Sequence, residues 1–394
     1  MKNLLFIIYI ISFISCDNLT FQAKIFENLN QLTYNKLTSF SNYKYKKQNI
    51  CISPISIYQI ISLVSNGANK KTQKEILQAL IQNQNLDNKI QINLNLNNEE
   101  IIKLYDNNEK LSIANAIMTK IPISQQFSLI SKRYKAFYTI LKSVEQVNKW
   151  CEEKTHGKIK KIIDSIKGIE LILLNAVYFK YNWRFPFEKK GTSKQDFYNE
   201  NNSISKVDMM SKQFNNIMYY QDEKIQMIEL PYEDDNLSMI IILPSKEKYT
   251  SSFDYINKEK IDFTKLINKL EMKTNVILNL PKFELEYETS LKDSLIYMNM
   301  KEAFTDNADF SKINENIRLK IDDIIHKTYI KVDELGTEAA AITAVIMVRA
   351  TAFHFEEIIK MNVDHSFIFM VRDKRIKDVN GDELMMFIGC VDNL

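Results

Sequence analysis

Asp364, His365 and Ser366 are the three residue types of a hydrolytic triad, and they stand side by side in the chain. Consecutive placement defeats them. In the strand their apolar neighbours suggest, adjacent side chains point to opposite faces of the sheet. A working triad needs hydrogen bonds from nucleophile to base and from base to orienting acid, which this arrangement cannot make. Cys151 and His156 are the next pair that could act, but five residues along the helix expected there puts them on different faces. Four histidines in 394 residues leave acid–base and metal chemistry little to draw on. The seven glycines, Gly67, Gly157, Gly168, Gly191, Gly336, Gly381 and Gly389, include no two that are two residues apart, so no phosphate-cradling glycine loop of the usual kind exists. Of the four cysteines Cys16 falls at the N-terminal signal; Cys51, Cys151 and Cys390 form no close pair and no metal-ligand spacing, and the three left in a mature chain cannot all pair internally. Buried free thiols used as small apolar side chains are the expectation. The chain is therefore not read as an enzyme, and no cofactor or metal is expected.

The elements that would position such groups read as a mixed α/β chain. Ile50–Ile52 is a short apolar stretch, and Ser53-Pro54 opens a helix with Ser as a candidate cap and Pro in the first turn. The Asn-rich run 83–108 is weakly periodic and reads as helix fragments and loop. Residues 111–118 read as a strand, and 144–166 as an amphipathic helix holding Trp150. Leu171–Phe179 is a continuous apolar run of strand length, the mark of a strand buried on both faces. Beyond Lys206 strands dominate, at 225–230, 237–243, 275–280, 327–332, 367–371 and 385–391, with a helix at 291–298. The alternation is irregular, without repeats or a Pro/Gly/Ser linker, which suggests mixed sheets in one domain.

Composition is that of an ordinary globular protein, 45% hydrophobic and 26% charged. With 52 basic against 49 acidic residues the net charge of +3 argues for neither a nucleic-acid partner nor an anionic membrane. Lys2, the apolar run 4–14 and the small pair Ser15-Cys16 read as a secretory signal over residues 1–16. The run is too short to span a bilayer, which takes about 20 apolar residues. A secreted, extracellular chain is expected, with Asn18, Asn201 and Asn236 as candidate glycan sites.

The segment 336–348, Gly-Thr-Glu-Ala-Ala-Ala-Ile-Thr-Ala-Val-Ile-Met-Val, has two incompatible local readings. Its alanines favour helix and its β-branched residues favour strand. As a strand, Thr337, Ala339, Ala341, Thr343, Val345 and Met347 share an uncharged face, while Glu338 falls on the other.

A set of ordered motifs resembles the serpin family. Ile52-Ser53-Pro54-Ile55-Ser56-Ile57 is similar to its opening motif, and Asn175-Ala176-Val177-Tyr178-Phe179-Lys180 with Trp183 to its central sheet strand. Leu230-Pro231-Tyr232, Leu280-Pro281-Lys282-Phe283, Ala308-Asp309-Phe310-Ser311 and His326-Lys327 follow in the family's order. The run from Val332 through Glu334, Leu335, Gly336, Thr337, Glu338, Ala339, Ala340 and Ala341 resembles the hinge before a reactive loop. Asp364-His365-Ser366-Phe367 and Phe387-Ile388-Gly389 resemble the C-terminal strands. Departures are Leu335 for a polar residue, Ile342 ending the alanines, Tyr181 for a glycine and Ser366 for a proline. Residues 83–108 and 137–147 look short against the family, so the helix and edge strand there are expected to be trimmed.

The resemblance implies an α+β fold of three β-sheets with eight or nine helices and an exposed reactive loop, about 336–360, in a single domain over 17–394. It also implies a suicide-substrate inhibitor. A serine-type protease attacks the loop, the acylated loop inserts into the central sheet as a new strand, and the protease is trapped in a covalent 1:1 complex. The intact form would be the less stable one, since insertion adds a full row of backbone hydrogen bonds and buries apolar area. Ser53, Ser56, Asn175 and His326 match the family's sheet-opening cluster, and Trp183, Lys282 and Glu334 the region where insertion starts. Gly336 through Ala341 match the inhibitory hinge, a flexible glycine followed by small side chains, with Thr337 the first to enter the sheet. Family spacing from Glu334 places the scissile bond at Ala350–Thr351, with Arg349–Ala350 the alternative. A non-inhibitory serpin acting as carrier, store or folding helper is the rival reading. Such members carry charged or bulky residues where this chain has Thr337, Ala339 and Ala341. No basic cluster in 83–108 suggests a heparin site, and a monomer is expected.

Overall fold

The computed structural model describes residues 49–81, 86, 88–105, 108, 110–337, 358–377 and 383–394. The signal reading, Cys16, Asn18 and the loop residues Glu338, Ala339, Ala340, Ala341, Arg349, Ala350 and Thr351 lie outside these.

In chain order, β1 (Ile50–Ile52) leads to α1 (Pro54–Ser65), α2 (Lys70–Ile81) and α3 (Ile90–Leu104). β2 (Leu111–Thr119), α4 (Gln125–Arg133), β3 (Phe137–Ile140) and α5 (Val144–Lys154) follow, then β4 (Leu171–Phe179) and β5 (Tyr181–Asn182). An all-strand run comes next: β6 (Ser193–Tyr198), β7 (Ile204–Phe214), β8 (Ile217–Gln221), β9 (Ile225–Pro231) and β10 (Leu237–Pro244). After α6 (Ser252–Glu259) and α7 (Phe263–Ile267) come β11 (Glu271–Lys273), β12 (Val276–Pro281), β13 (Phe283–Ser290) and α8 (Lys292–Tyr297). The chain closes with β14 (Asp323–Val332), β15 (Gly336–Thr337), β16 (Ile359–Asn362), β17 (Phe367–Lys377) and β18 (Glu383–Val391).

Among the described residues these make eight α-helices and three sheets, an α+β architecture. One sheet runs β1-β18-β17-β10-β9-β8-β11 and a smaller one β16-β12-β7-β6. The third runs β3-β2-β4-β14-β15-β5, with β13 pairing β14. This third sheet is mixed, and its centre is a parallel pair, β4 beside β14, from Ile172 opposite Asp323 to Tyr178 opposite Tyr329. β4 is buried along its whole length, as its sequence, apolar apart from Asn175, predicts. Leu171, Leu173, Val177 and Phe179 join the main core with α1, and Ile172, Leu174, Ala176 and Tyr178 join a second core under α5 with Trp150 and Cys151.

Three local readings change. α5 stops at Lys154 rather than running to 166, because His156 and Gly157 both take left-handed backbone angles, φ 53° and 77°. Ile159, Ile162 and Ile163 continue the apolar pattern as an irregular linker packed on the same core. The Asn-rich run holds one continuous 15-residue helix, α3. Ser53 does not cap α1 with its side chain. The three described cysteines are free and buried, and burial pushes the thiols of Cys51 and Cys151 up to about 12. Among the described residues no helix is long and apolar enough to cross a membrane, and no group of three metal-ligating side chains comes together.

β18 is threaded between β1 and β17, and Gly389 makes that possible. A Cβ there would lie 2.3 Å from the Ile50 carbonyl oxygen and 2.5 Å from the Phe369 ring. Gly389→Ala is expected to cost about 1–3 kcal/mol of stability through overpacking, read as a lower urea midpoint with an unchanged slope.

Candidate functional site

The site is the seam between β4 and β14 and the mouth at its upper end. Along the seam Asn175 and His326 are register partners, one from each strand. Their side chains point inward, toward the N-terminus of α1, where Pro54 in the first turn starts the helix. Their polar atoms meet there in a fully buried network. The Ser53 backbone N–H donates to His326 Nε2 at 3.0 Å, and His326 Nδ1 lies 2.5 Å from Asn175 Oδ1. The Ser56 hydroxyl donates to the same Asn175 oxygen at 2.7 Å, and the Asn175 amide donates to Asn115 Oδ1 at 2.6 Å. Since Nε2 accepts, the proton sits on Nδ1 and the ring is neutral. Burial drives the imidazole down to about 3. The four residues singled out from the sequence thus come together, and Asn115 on β2 joins them. A lone amide in the apolar run 111–118 was the signal for it.

On the opposite face of β14, Lys327 is nearly buried between Glu286 (2.8 Å) and Glu288 (2.9 Å) of β13. Its ammonium also donates to the Lys161 carbonyl in the linker that joins α5 to β4. One side chain therefore ties β13, β14 and the linker together over the seam.

At the mouth, the chain leaving β14 turns back at once. The Asp333 N–H donates to the Gly336 carbonyl, and the Leu335 N–H to the Asp333 carboxylate, both at 2.9 Å. Gly336 and Thr337 then form β15 between β14 and β5, with Thr337 opposite both Val332 and Tyr181. Thr337, expected as the first side chain to enter the sheet, is already in it. It is fully buried, and its hydroxyl lies 2.7 Å from the Tyr232 hydroxyl. Gly336 is needed for close approach: a Cβ would sit 2.2 Å from the Tyr181 carbonyl oxygen.

Trp183 holds the turn. Its indole N–H donates to the Asp333 carbonyl at 3.0 Å, its backbone N–H to the Leu335 carbonyl at 2.8 Å, and its ring stacks on Tyr232 with centroids 4.7 Å apart. Glu334 is buried against Lys282 at 3.0 Å and accepts from the Thr192 hydroxyl at 2.9 Å. Burial alone would raise the Glu334 carboxyl, but these hydrogen bonds and the lysine outweigh it and hold the group below its ordinary value. Tyr181, in place of a glycine, packs its ring on Phe179 and receives the Asn108 amide on its hydroxyl. Tyr232 is the residue whose role the sequence did not reveal, because its partner lies 105 positions away.

The triad-like trio takes no part. Asp364, His365 and Ser366 lie between strands rather than in one. His365 places Nδ1 on Asp364 at 2.7 Å and Nε2 on the Pro244 carbonyl at 2.8 Å, while the Ser366 hydroxyl donates to Asp392. His156 packs its ring at a tilt on that of Tyr178, and Cys151 is buried as a free thiol. Asn201 and Asn236 are both in exposed turns outside the seam, with the Asn201 side-chain oxygen accepting from Ser203 and the Asn236 amide donating to Asp234.

A family model described as serpin (serine protease inhibitor) matches residues 27–392. Intracellular coagulation inhibitor 2 of Tachypleus tridentatus is 31% identical over 362 residues, covering 88% of this chain and 86% of that one. Among solved structures, the thermophilic serpin tengpin in its native state is similar with a TM-score of 0.78 at 30% identity, over 95% of this chain and 92% of that one. A thyroxine-binding globulin in complex with thyroxine is similar with a TM-score of 0.77 at 23% identity, over 95% and 98%, a likeness of fold.

The seam network makes stability depend on pH. The unfolded chain protonates His326 near the ordinary 6.5, the folded chain only near 3. Between those values the unfolded state holds the extra proton, so stability is complete above the unfolded value and falls as pH falls through it, by up to about 1.4 kcal/mol per pH unit. The urea midpoint of the wild type should drop between about pH 7.5 and 5.5, and His326→Gln should flatten that drop. Carboxylates held low, such as Glu334, act below this window.

Proposed function

The chain belongs to the serpin family, and from that premise we propose that it is a suicide-substrate inhibitor of a serine-type endopeptidase. The observation that carries this reading is β15: the hinge has begun a strand at the mouth of a seam whose parallel partners, β4 and β14, would flank the rest of it. The target's serine hydroxyl attacks the carbonyl carbon of the scissile residue, an ester forms, and the downstream chain leaves with a new amino terminus. Ala339 and Ala341 then follow Thr337 inward, and the seam opens as the Asn175–His326 pair separates and Lys327 releases the Lys161 carbonyl. Glu334, Lys282 and Trp183 keep the turn fixed while the strand grows. Insertion races hydrolysis of the ester, and about 1.4 kcal/mol on either barrier changes the outcome tenfold.

Residues 1–16 act as the secretory signal in this reading, and 17–394 form one domain that works outside the cell as a monomer. Ala350 suits an elastase- or subtilisin-like pocket at Ala350–Thr351, and Arg349 a trypsin-like one at Arg349–Ala350. Incubation with such a panel should give one enzyme a 1:1 complex that survives boiling in detergent. The mass of the released fragment should fit one of those two bonds. A loop cut without any complex would favour a carrier or storage role.

Thr337 separates trapping from mere cleavage. Thr337→Arg puts a guanidinium where a buried hydroxyl now meets Tyr232, which costs several kcal/mol. The hinge should leave the sheet and fail to re-enter, so the loop is still cut while the stable complex is lost. Glu338→Arg, on the other face of the inserted strand by alternation, should trap protease nearly as the wild type does. Equal trapping by the two variants would overturn the insertion mechanism for this protein.

A further inference from the structure

The sequence of α3 contradicts its structure. From Lys89 to Asn97 polar and apolar residues alternate strictly: Lys, Ile, Gln, Ile, Asn, Leu, Asn, Leu, Asn. That is the period of a strand, not of a helix. As a helix the pattern leaves Ile92 58% and Leu96 48% exposed, while Leu94, Asn97 and Asn98 are buried. Local signals for the helix are weak. Isoleucine and asparagine are modest helix formers, the first turn has no acidic residue, and Lys89 at the cap makes no side-chain cap bond.

Tertiary hydrogen bonds hold the helical form. Asn95 exchanges amide bonds with Asn66 at 2.9 and 3.0 Å and accepts from the Tyr134 hydroxyl at 2.7 Å. Gln91 accepts from the Ser65 hydroxyl at 3.0 Å and from the Gln73 amide at 3.3 Å. The network pins one edge of α3 to the end of α1, to α2 and to Tyr134 after α4.

We propose that residues 90–98 are a latent strand whose partner is the same segment in a second copy of this chain. Extended, Ile90, Ile92, Leu94 and Leu96 line one face, and Gln91, Asn93, Asn95 and Asn97 the other. Stacked in register, the first face makes a dry apolar ladder and the second an amide ladder. No charge, proline or glycine lies between Lys89 and Glu99, so copies stack without like-charge repulsion inside the segment. This route to self-association is independent of the reactive loop. Local release of the Asn66–Asn95–Tyr134 network suffices, with the three sheets intact.

The test uses the full-length protein held a few degrees below its unfolding midpoint, with thioflavin T fluorescence as readout and hydrogen–deuterium exchange to map the protected core. Assemblies protected over 89–98 are expected, forming equally in loop-cleaved protein held the same few degrees below its own unfolding midpoint. Ile92→Lys and Leu96→Lys change exposed side chains, so each should keep the wild-type melting temperature while slowing assembly about tenfold. Asn95→Ala should speed assembly by a similar factor. The proposal is overturned if the lysine variants assemble at the wild-type rate, if the protected core excludes 89–98, or if loop cleavage abolishes assembly.

Discussion

One contact governs the molecule: the pairing of β4 with β14. Two parallel strands lie side by side at the centre of a sheet, and the chain running out of β14 turns back to lay two residues, β15, beside β14. A neutral imidazole and an amide fix the pair from within, and a lysine braced by two glutamates fixes it from outside. The contacts around it hold that seam shut. α1 supplies Ser53 and Ser56 beneath it, and the linker after α5 crosses above it.

The chemistry of the seam suits a switch. Its inner lock is built from uncharged groups at working pH, so parting it exposes a few hydrogen bonds rather than a buried ion pair. The charged contacts stand where water can reach them once the strands separate: Glu286 and Glu288 are each about half exposed. In the proposed insertion, separation asks for rearrangement of hydrogen bonds, and the inserted strand would replace those of the backbone.

Much of this was legible from the residues. β4 announced itself because burial on both faces leaves its nine positions apolar apart from Asn175. The cluster of Ser53, Ser56, Asn175 and His326 came from family resemblance; spacing alone could not have joined residues more than a hundred positions apart. The end of α5 was misjudged because Ile159, Ile162 and Ile163 keep a helical apolar rhythm while the backbone turns left-handed at His156 and Gly157. α3 was read only as helix fragments and loop for the opposite reason, since its side chains follow a strand rhythm and tertiary amide bonds hold the continuous helix. The hydroxyl pair of Thr337 and Tyr232 had no local signal at all.

The pairing of β1 with β18 sets a timetable for the chain. Cys51 faces Gly389 and Ile52 faces Ile388, so β1 is made well before the strand it pairs with. Domains emerge from the ribosome at about 5–20 residues per second, N-terminus first. β4 and β14 are both out before β18 exists, and α1 with them. The seam and its network can therefore form while the first sheet is still short of its C-terminal strand. β18, made after both strands of the seam, then closes on β1, whose Cys51 carbonyl accepts from the Thr328 hydroxyl of β14.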